Sequence, residues 1–255
     1  MRAFLAALHF LTTLPLPGAH RLRDEDWGRA TAWYPAAGLV IGGLLAALDW
    51  GLGHLWPAGV ASALTLAAWV GLTGALHLDG WIDCCDGLLA PAPPERRLEI
   101  LRDVHAGAFG IAGAVLLLLV KYAALAALPT AARLPGLIVA PVLGRWVMTM
   151  AVLLFPYARA GEGLGKLART GAGWQQGAGA TAILALAVGL AGWLGLGWAA
   201  AVLPVVAGLV AFAAAHWARG RIGGLTGDVY GALCELAETV SLLALAALAH
   251  RGLLA

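Results

Sequence analysis

The chain has 255 residues, 61% of them hydrophobic and 12% charged, with a formal net charge of +2 and a mean hydropathy of +0.84. So little polar surface cannot coat a soluble globule of this size, and a bilayer is the natural solvent. The small net charge offers no basic face for nucleic acid, which is excluded as a partner. Cys84, Cys85 and Cys234 have neither the spacing of a zinc site nor the number of a disulfide framework, and read as packing residues.

In chain order, Ala3 to Leu14 is an apolar stretch whose Phe4, Leu5, Leu8 and Leu11 share one helical face. One Arg before it, Pro15 and Pro17 after it, and no small-x-small cleavage site argue against a signal peptide, so an interfacial helix is expected. Seven runs then read as spans: Thr31 to Trp50, Ala58 to Leu78, Gly107 to Ala127, Gly136 to Phe155, Gly177 to Leu196, Ala199 to Trp217, and Gly231 to Ala249. Their Gly and Ala content permits close helix packing in lipid. The fold class is thus an all-α integral membrane protein of about seven transmembrane helices plus an N-terminal interfacial helix, one polytopic domain over 1–255. The fifth-to-sixth junction has only Leu196, Gly197 and Trp198 for its turn.

Lys and Arg outside these runs set the orientation. One side receives Arg2, Arg21, Arg23, Arg29, Arg96, Arg97, Arg102, Arg159, Lys166, Arg169, Arg219 and Arg221; the other receives Arg133 and Arg251. The bias places the N-terminus in the cytoplasm and, for a prokaryote, the chain in the cytoplasmic (inner) membrane. The acids gather on the same side, so residues 79–106, between the second and third spans, form a cytoplasmic acidic active-site segment.

If the second span continues as helix through His77-Leu78-Asp79-Gly80-Trp81-Ile82-Asp83-Cys84-Cys85-Asp86-Gly87, then Asp79, Asp83 and Asp86 stand at i, i+4 and i+7 on one face. Three carboxylates on a stripe repel one another, and a hard cation such as Mg²⁺ or Mn²⁺ removes the conflict. Asp103 supplies a fourth candidate ligand, and four acids from two helices suit one or two metals in displacement at phosphorus. Gly80 and Gly87 leave room beside the stripe for a phosphate. The competing reading is a solvated helix end whose acids pair with Arg96, Arg97 and Arg102. Those three arginines are candidates to hold a diphosphate through bidentate contacts, or are positive-inside anchors. Lys121 and Arg145, cations within spans, are expected to face a polar interior, although Lys121 could snorkel outward; both are carried as substrate-binding candidates, with Asp228 and Glu235, acids entering the last span. Asp103, His77 and His105 are the general-base candidates.

At these residues the chain resembles the cobalamin synthase family, the adenosylcobinamide-GDP ribazoletransferases. The resemblance runs from Phe10-Leu11-Thr12-Thr13-Leu14-Pro15 through Tyr34-Pro35 with Gly38 and Gly42, and His77-Leu78-Asp79-Gly80 with Asp83 and Asp86-Gly87. It continues in Arg96-Arg97-Leu98-Glu99-Ile100, Asp103 with Gly107, Phe109 and Gly110, and Thr226-Gly227-Asp228 with Gly231 and Glu235. Cys84 and Cys85 depart from it. The resemblance implies a late step of cobalamin assembly. In it the 5′-hydroxyl of α-ribazole or α-ribazole 5′-phosphate attacks the cobinamide-side phosphorus of adenosylcobinamide-GDP, GMP leaves, and a divalent metal assists. Partners are then these two substrates, the lipid bilayer and, as a further candidate, a second copy of the chain.

Two other functions are weighed. A CDP-alcohol phosphotransferase uses a similar acidic motif, but Asp83 stands where that pattern puts Ala. An ion-coupled transporter would spread polar groups across the bilayer and often repeats its halves; here the acids lie nearly all on one side.

Overall fold

In hydrocarbon every backbone N–H and C=O must be satisfied within its own segment, so apolar runs of this length fold as helices. The computed structural model describes residues 2–16, 23–159 and 164–254, and Pro17 and Arg21 lie outside them. Within the described residues the helices are α1 (Arg2–Leu11), α2 (Asp24–Ala30), α3 (Tyr34–Gly53), α4 (Ala58–Leu72), α5 (Leu76–Leu89), α6 (Pro94–Ile100), α7 (Ala108–Ala127), α8 (Thr130–Leu154), α9 (Leu164–Gly171), α10 (Trp174–Ala191), α11 (Ala199–Ile222) and α12 (Gly227–His250).

Among the described residues, six helical stretches are long and apolar enough to cross a membrane: Glu25–Gly53, Ala108–Ala127, Thr130–Leu154, Trp174–Leu196, Ala199–Ile222 and Gly227–His250. A seventh exists only if α4 and α5 are taken together across an 89° bend. The expected straight second span over Ala58 to Leu78 is corrected by this break. Gly74 and Ala75 take left-handed φ values of 60° and 57°, a conformation that costs a residue with a Cβ about 1–2 kcal/mol. The first segment of the chain supports the break: Thr13 donates its N–H to Leu72 O at 2.8 Å and its hydroxyl to Gly71 O at 3.1 Å. These are carbonyls that a helix end leaves free. The Thr12-Thr13 motif thus has a structural use.

Beyond the bend α5 lies across the first turns of α7 and α12 rather than continuing through the bundle. Helix α1 buries Ala6, Ala7, Leu8 and Leu11. At the junction singled out in the sequence, Gly192–Leu196 winds as a π-helical turn, and Gly195 and Gly197 have positive φ before α11 begins.

The central helix is α8. A Cβ on Gly38 or Gly42 of α3 would stand 2.6 or 2.7 Å from the carbonyls of Pro141 or Ile138, so only glycine allows the two backbones to meet so closely. The fourth span begins at Thr130, earlier than expected. Arg133, counted as a loop charge, is therefore inside α8 and 8% exposed. It forms a bidentate pair with buried Asp49 of α3, with Thr65, Ser62 and the Leu125 carbonyl completing the hydrogen bonds.

A second ionic cluster joins α5, α7, α8 and α12. Lys121 donates to Glu235 at 2.8 Å and to Glu238; Arg145 donates to Glu238 and reaches His77 Nδ1 at 3.2 Å. Lys121 also lies 4.1 Å from the Trp69 ring centre. Two cations and two carboxylates neutralise one another where solvent cannot, which resolves the expectation that Lys121 and Arg145 face a polar interior. Lys121 does not snorkel outward. Replacing Glu238 by Gln leaves Arg145 buried with no carboxylate and should cost about 3–5 kcal/mol. The melting temperature in detergent should fall for Glu238→Gln, and fall less for the paired Arg145→Met/Glu238→Met, which removes the uncompensated charge.

Candidate active site

The acidic residues reach one end of the bundle because α5 remains helical after the bend and keeps Asp79, Asp83 and Asp86 on the expected stripe. Asp79 is exposed and Asp83 half-buried. With Asp103 they line a cavity of ≈ 360 Å³ that also includes Arg102. A second cavity, ≈ 370 Å³, shares Asp79 and Arg102 with it and runs inward past Arg159, Asp228, His77 and Tyr230. Burial, followed by the Asp79, Asp228 and Asp86 charges, raises Asp83 to about 7, with Arg159 opposing. The repulsion expected from the stripe is therefore present. Among the described residues no three His, Cys, Asp or Glu side chains converge as a ready-made metal cage. Mg²⁺ commonly needs only one or two carboxylates, taking its other ligands from water and substrate phosphate. The donor set of Asp79 and Asp83 fits such an ion.

Asp86 has a different occupation. Its two oxygens accept from Gly107 N–H at 2.8 Å and Gly110 N–H at 2.9 Å, capping the N-terminus of α7 from another helix. A Cβ on Gly107 would lie 2.6 Å from Asp86 Oδ1, and one on Gly110 2.3 Å from Oδ2. This contact explains those two glycines. The room attributed to Gly80 and Gly87 is also taken by protein: added Cβ atoms would meet Asp228 O at 2.6 Å and the Leu101 side chain at 2.7 Å. Gly80 does line the inner cavity, whereas Gly87 serves the contact between α5 and the segment after α6.

The three expected arginines separate. Arg96 is exposed and pairs with Glu99 at 2.7 Å. Arg97 is buried and donates to the Ala92 and Leu88 carbonyls, closing the C-terminal end of α5. Arg102 alone lies at the junction of the two cavities. Arg159, counted in the sequence only as an inside charge, joins it in the inner cavity and pairs with Asp228 at 2.6 Å. Paired backbone bonds, Ala158 N–H to Leu225 O and Leu225 N–H to Pro156 O, both 2.8 Å, fix the segments that carry Arg159 and Asp228. Asp228 thus lines the cavity as expected. Glu235 does not: it belongs to the buried cluster with Lys121, and Lys121 and Arg145 have protein carboxylates as partners. Tyr230, whose signal was lost among apolar neighbours, was not foreseen.

The two histidines differ in setting. His105 is exposed, and both its N–H and its Nδ1 bond Asp103 Oδ1, at 3.0 and 2.8 Å. These bonds hold Asp103 below the ordinary carboxylate range. In the neutral ring the bond to a carboxylate places the proton on Nδ1, leaving the Nε2 lone pair open. His77 is 1% exposed and lines the inner cavity.

The description Cobalamin-5-phosphate synthase names the family whose profile matches residues 3–246. The chain belongs to that family. Relatives named adenosylcobinamide-GDP ribazoletransferase include one from Roseiflexus sp. (strain RS-1), 41% identical over 98% of this chain and 91% of the relative. Another, from Brevibacillus brevis, is 39% identical over 96% and 98%; a third, from Herpetosiphon aurantiacus, is 41% identical over 97% of each. No solved structure matches the chain.

Within a cobalamin-5-phosphate synthase of this geometry, Asp86 acts as a helix cap. Asn can offer only one acceptor oxygen, so Asp86→Asn should destabilise the protein by about 1–3 kcal/mol without added metal. Asp79→Asn, whose carboxylate is exposed, should leave the metal-free melting temperature within about 0.5 kcal/mol of the parent. Thermal unfolding in detergent and chelator compares the two; equal, unchanged melting would refute the cap.

Proposed function

We propose that the two joined cavities carry out the transfer of the adenosylcobinamide-phosphate group of adenosylcobinamide-GDP to α-ribazole or its 5′-phosphate, with release of GMP. The observation that carries the reading is the junction itself, where Asp79 and Arg102 stand between an acidic cavity and an aromatic one. The diphosphate lies in the acidic cavity. Asp79 and Asp83 would hold Mg²⁺ or Mn²⁺, which supplies charge neutralisation at the transferring phosphoryl group. Arg102 offers a bidentate contact to the same oxygens.

An acceptor phosphorylated at its 5′ position has no free 5′-hydroxyl, and the family description names a 5-phosphate product. A single binding pose for both acceptors therefore uses a secondary ribose hydroxyl, in place of the 5′-hydroxyl expected from the resemblance. That oxygen attacks phosphorus, the phosphorus–oxygen bond to GMP breaks, and His105, oriented by Asp103, takes the hydroxyl proton on Nε2. The site faces the cytoplasm of the prokaryotic inner membrane, supported by the Lys and Arg of the same bundle end. The segment 79–106 forms its rim.

Purified protein with adenosylcobinamide-GDP and α-ribazole should release GMP only with a divalent ion. His105→Ala should lower kcat by about 10²–10⁴-fold with the Mg²⁺ dependence unchanged, whereas Asp79→Asn and Asp83→Asn should also weaken that dependence. Metal-independent release at the full rate would overturn the assignment.

The folded-state value of about 7 for Asp83 lies above the unfolded value of about 3.9. Its stabilising contribution is complete below the unfolded value and is lost as pH rises through 7. An ion that replaces the proton should restore it. The melting-temperature rise caused by saturating Mg²⁺ should therefore be larger at about pH 8 than at about pH 6, and Asp83→Asn should abolish the difference.

A further inference from the structure

The inner cavity ends on a buried imidazole whose proton position is fixed by its neighbour. Arg145 Nη2 lies 3.2 Å from His77 Nδ1. A guanidinium has five donors and no acceptor, so Nδ1 must supply the lone pair and the ring proton must sit on Nε2. Arg145 cannot turn away, because it is fully buried and held by Glu238 of α12. His77 Nε2 and the Tyr230 hydroxyl are both buried without a hydrogen-bond partner among the described residues, and both residues line the cavity. A buried polar group left unpaired costs about 1–3 kcal/mol, so this arrangement lacks an acceptor that a ligand can bring.

The remaining wall combines aromatic and apolar side chains, Phe10, Tyr34, Met148 and Val152, with the Arg159–Asp228 ion pair, and the mouth is charged, with Asp79 and Arg102. At ≈ 370 Å³ the cavity suits one drug-sized molecule; a corrin macrocycle with its side arms is several times larger. A planar heteroaromatic base inward and a ribose at the mouth match this division. The base of a benzimidazole riboside carries one acceptor nitrogen and no N–H donor. Guanine, the other base in the reaction, carries acceptors too but also brings N–H and NH₂ donors, for which the cavity offers Oδ1 of Asp228, Oδ2 being taken by Arg159 and Thr226. Competition by GMP distinguishes the two bases.

We propose that the inner cavity is the acceptor subsite, and that His77, locked by Arg145 as an Nε2–H donor, binds the unsubstituted ring nitrogen of the benzimidazole base. This rests on the transferase reading above. It makes His77 a specificity-determining residue and removes it from the general-base candidates, since its available nitrogen carries the proton. The Glu238–Arg145 pair then acts through His77 as a positioning device.

The test is a comparison of two acceptors on the wild type and two variants: the benzimidazole riboside, and an indole riboside in which CH replaces the acceptor nitrogen. The wild type should bind the benzimidazole riboside about tenfold more tightly, the value of one hydrogen bond, as read by calorimetry and by the acceptor KM. His77→Leu should lose that discrimination and bind both alike, with the KM for adenosylcobinamide-GDP unchanged. His77→Gln, which keeps an N–H donor, should retain most of the discrimination and most of kcat. Equal discrimination in the wild type and His77→Leu, a kcat collapse in His77→Gln, or displacement of the riboside by GMP at the same site would each overturn the proposal. Failure of the wild type to release GMP from adenosylcobinamide-GDP with any acceptor would instead sink the transferase reading beneath it.

Discussion

Buried charge in a bilayer protein must be balanced locally, and Lys121, Arg145, Glu235 and Glu238 meet that demand for the core of this chain. Each residue comes from a helix whose other contacts are mainly apolar. Because the alternative is an unpaired charge in a medium that solvates it poorly, the cluster fixes the relative depth of α7, α8 and α12 more sharply than apolar packing can. Arg145 extends the constraint to α5 through His77. The position of the helix that carries the acidic stripe is thereby tied to the charge balance of the bundle beneath it.

The acidic helix in turn exists because the second apolar run breaks. Continued straight from α4, the three carboxylates would leave the bundle end without the N–H partners that α7 provides. The break at Gly74 and Ala75 turns α5 across the first turns of α7 and α12, where water and the N–H groups of α7 can satisfy the acids. Thr13 completes the free carbonyls of α4 from far away in sequence. Glycine then sets how closely α5 can approach: Gly80 and Gly231 face α12 and α5 backbone atoms at distances no larger side chain would allow without movement.

Much of the fold was legible because bilayer thickness makes span length a strong signal. The acidic stripe was legible because a 3.6-residue period survives within α5. What escaped were features decided by tertiary contact. The 89° bend has no proline to announce it. Arg133 looked like a loop charge, and its partner Asp49, distant in sequence and paired with it in space, carried no signal of its own. Arg159 was indistinguishable from the anchoring charges around it, since the positive-inside pattern counts cations without saying which one faces a cavity. Tyr230 was one aromatic in an apolar span.

Periodicity also says where a side chain points and not what it meets, and the stripe illustrates the difference. Asp79, Asp83 and Asp86 share one face, yet a helix presents successive turns to different neighbours. The last turn meets the start of α7, where unpaired N–H groups and a positive helix end satisfy Asp86 without any ion. The middle turn meets other carboxylates, so Asp83 keeps its charge only at the cost reflected in its upward shift. The first turn opens onto the junction of two cavities. One carboxylate is therefore satisfied by protein, one is in electrostatic conflict and one is available at the mouth. A cation placed near the latter two would relieve the conflict while leaving the cap intact, so the same motif can fasten the helix bundle at one end and address a charged substrate at the other.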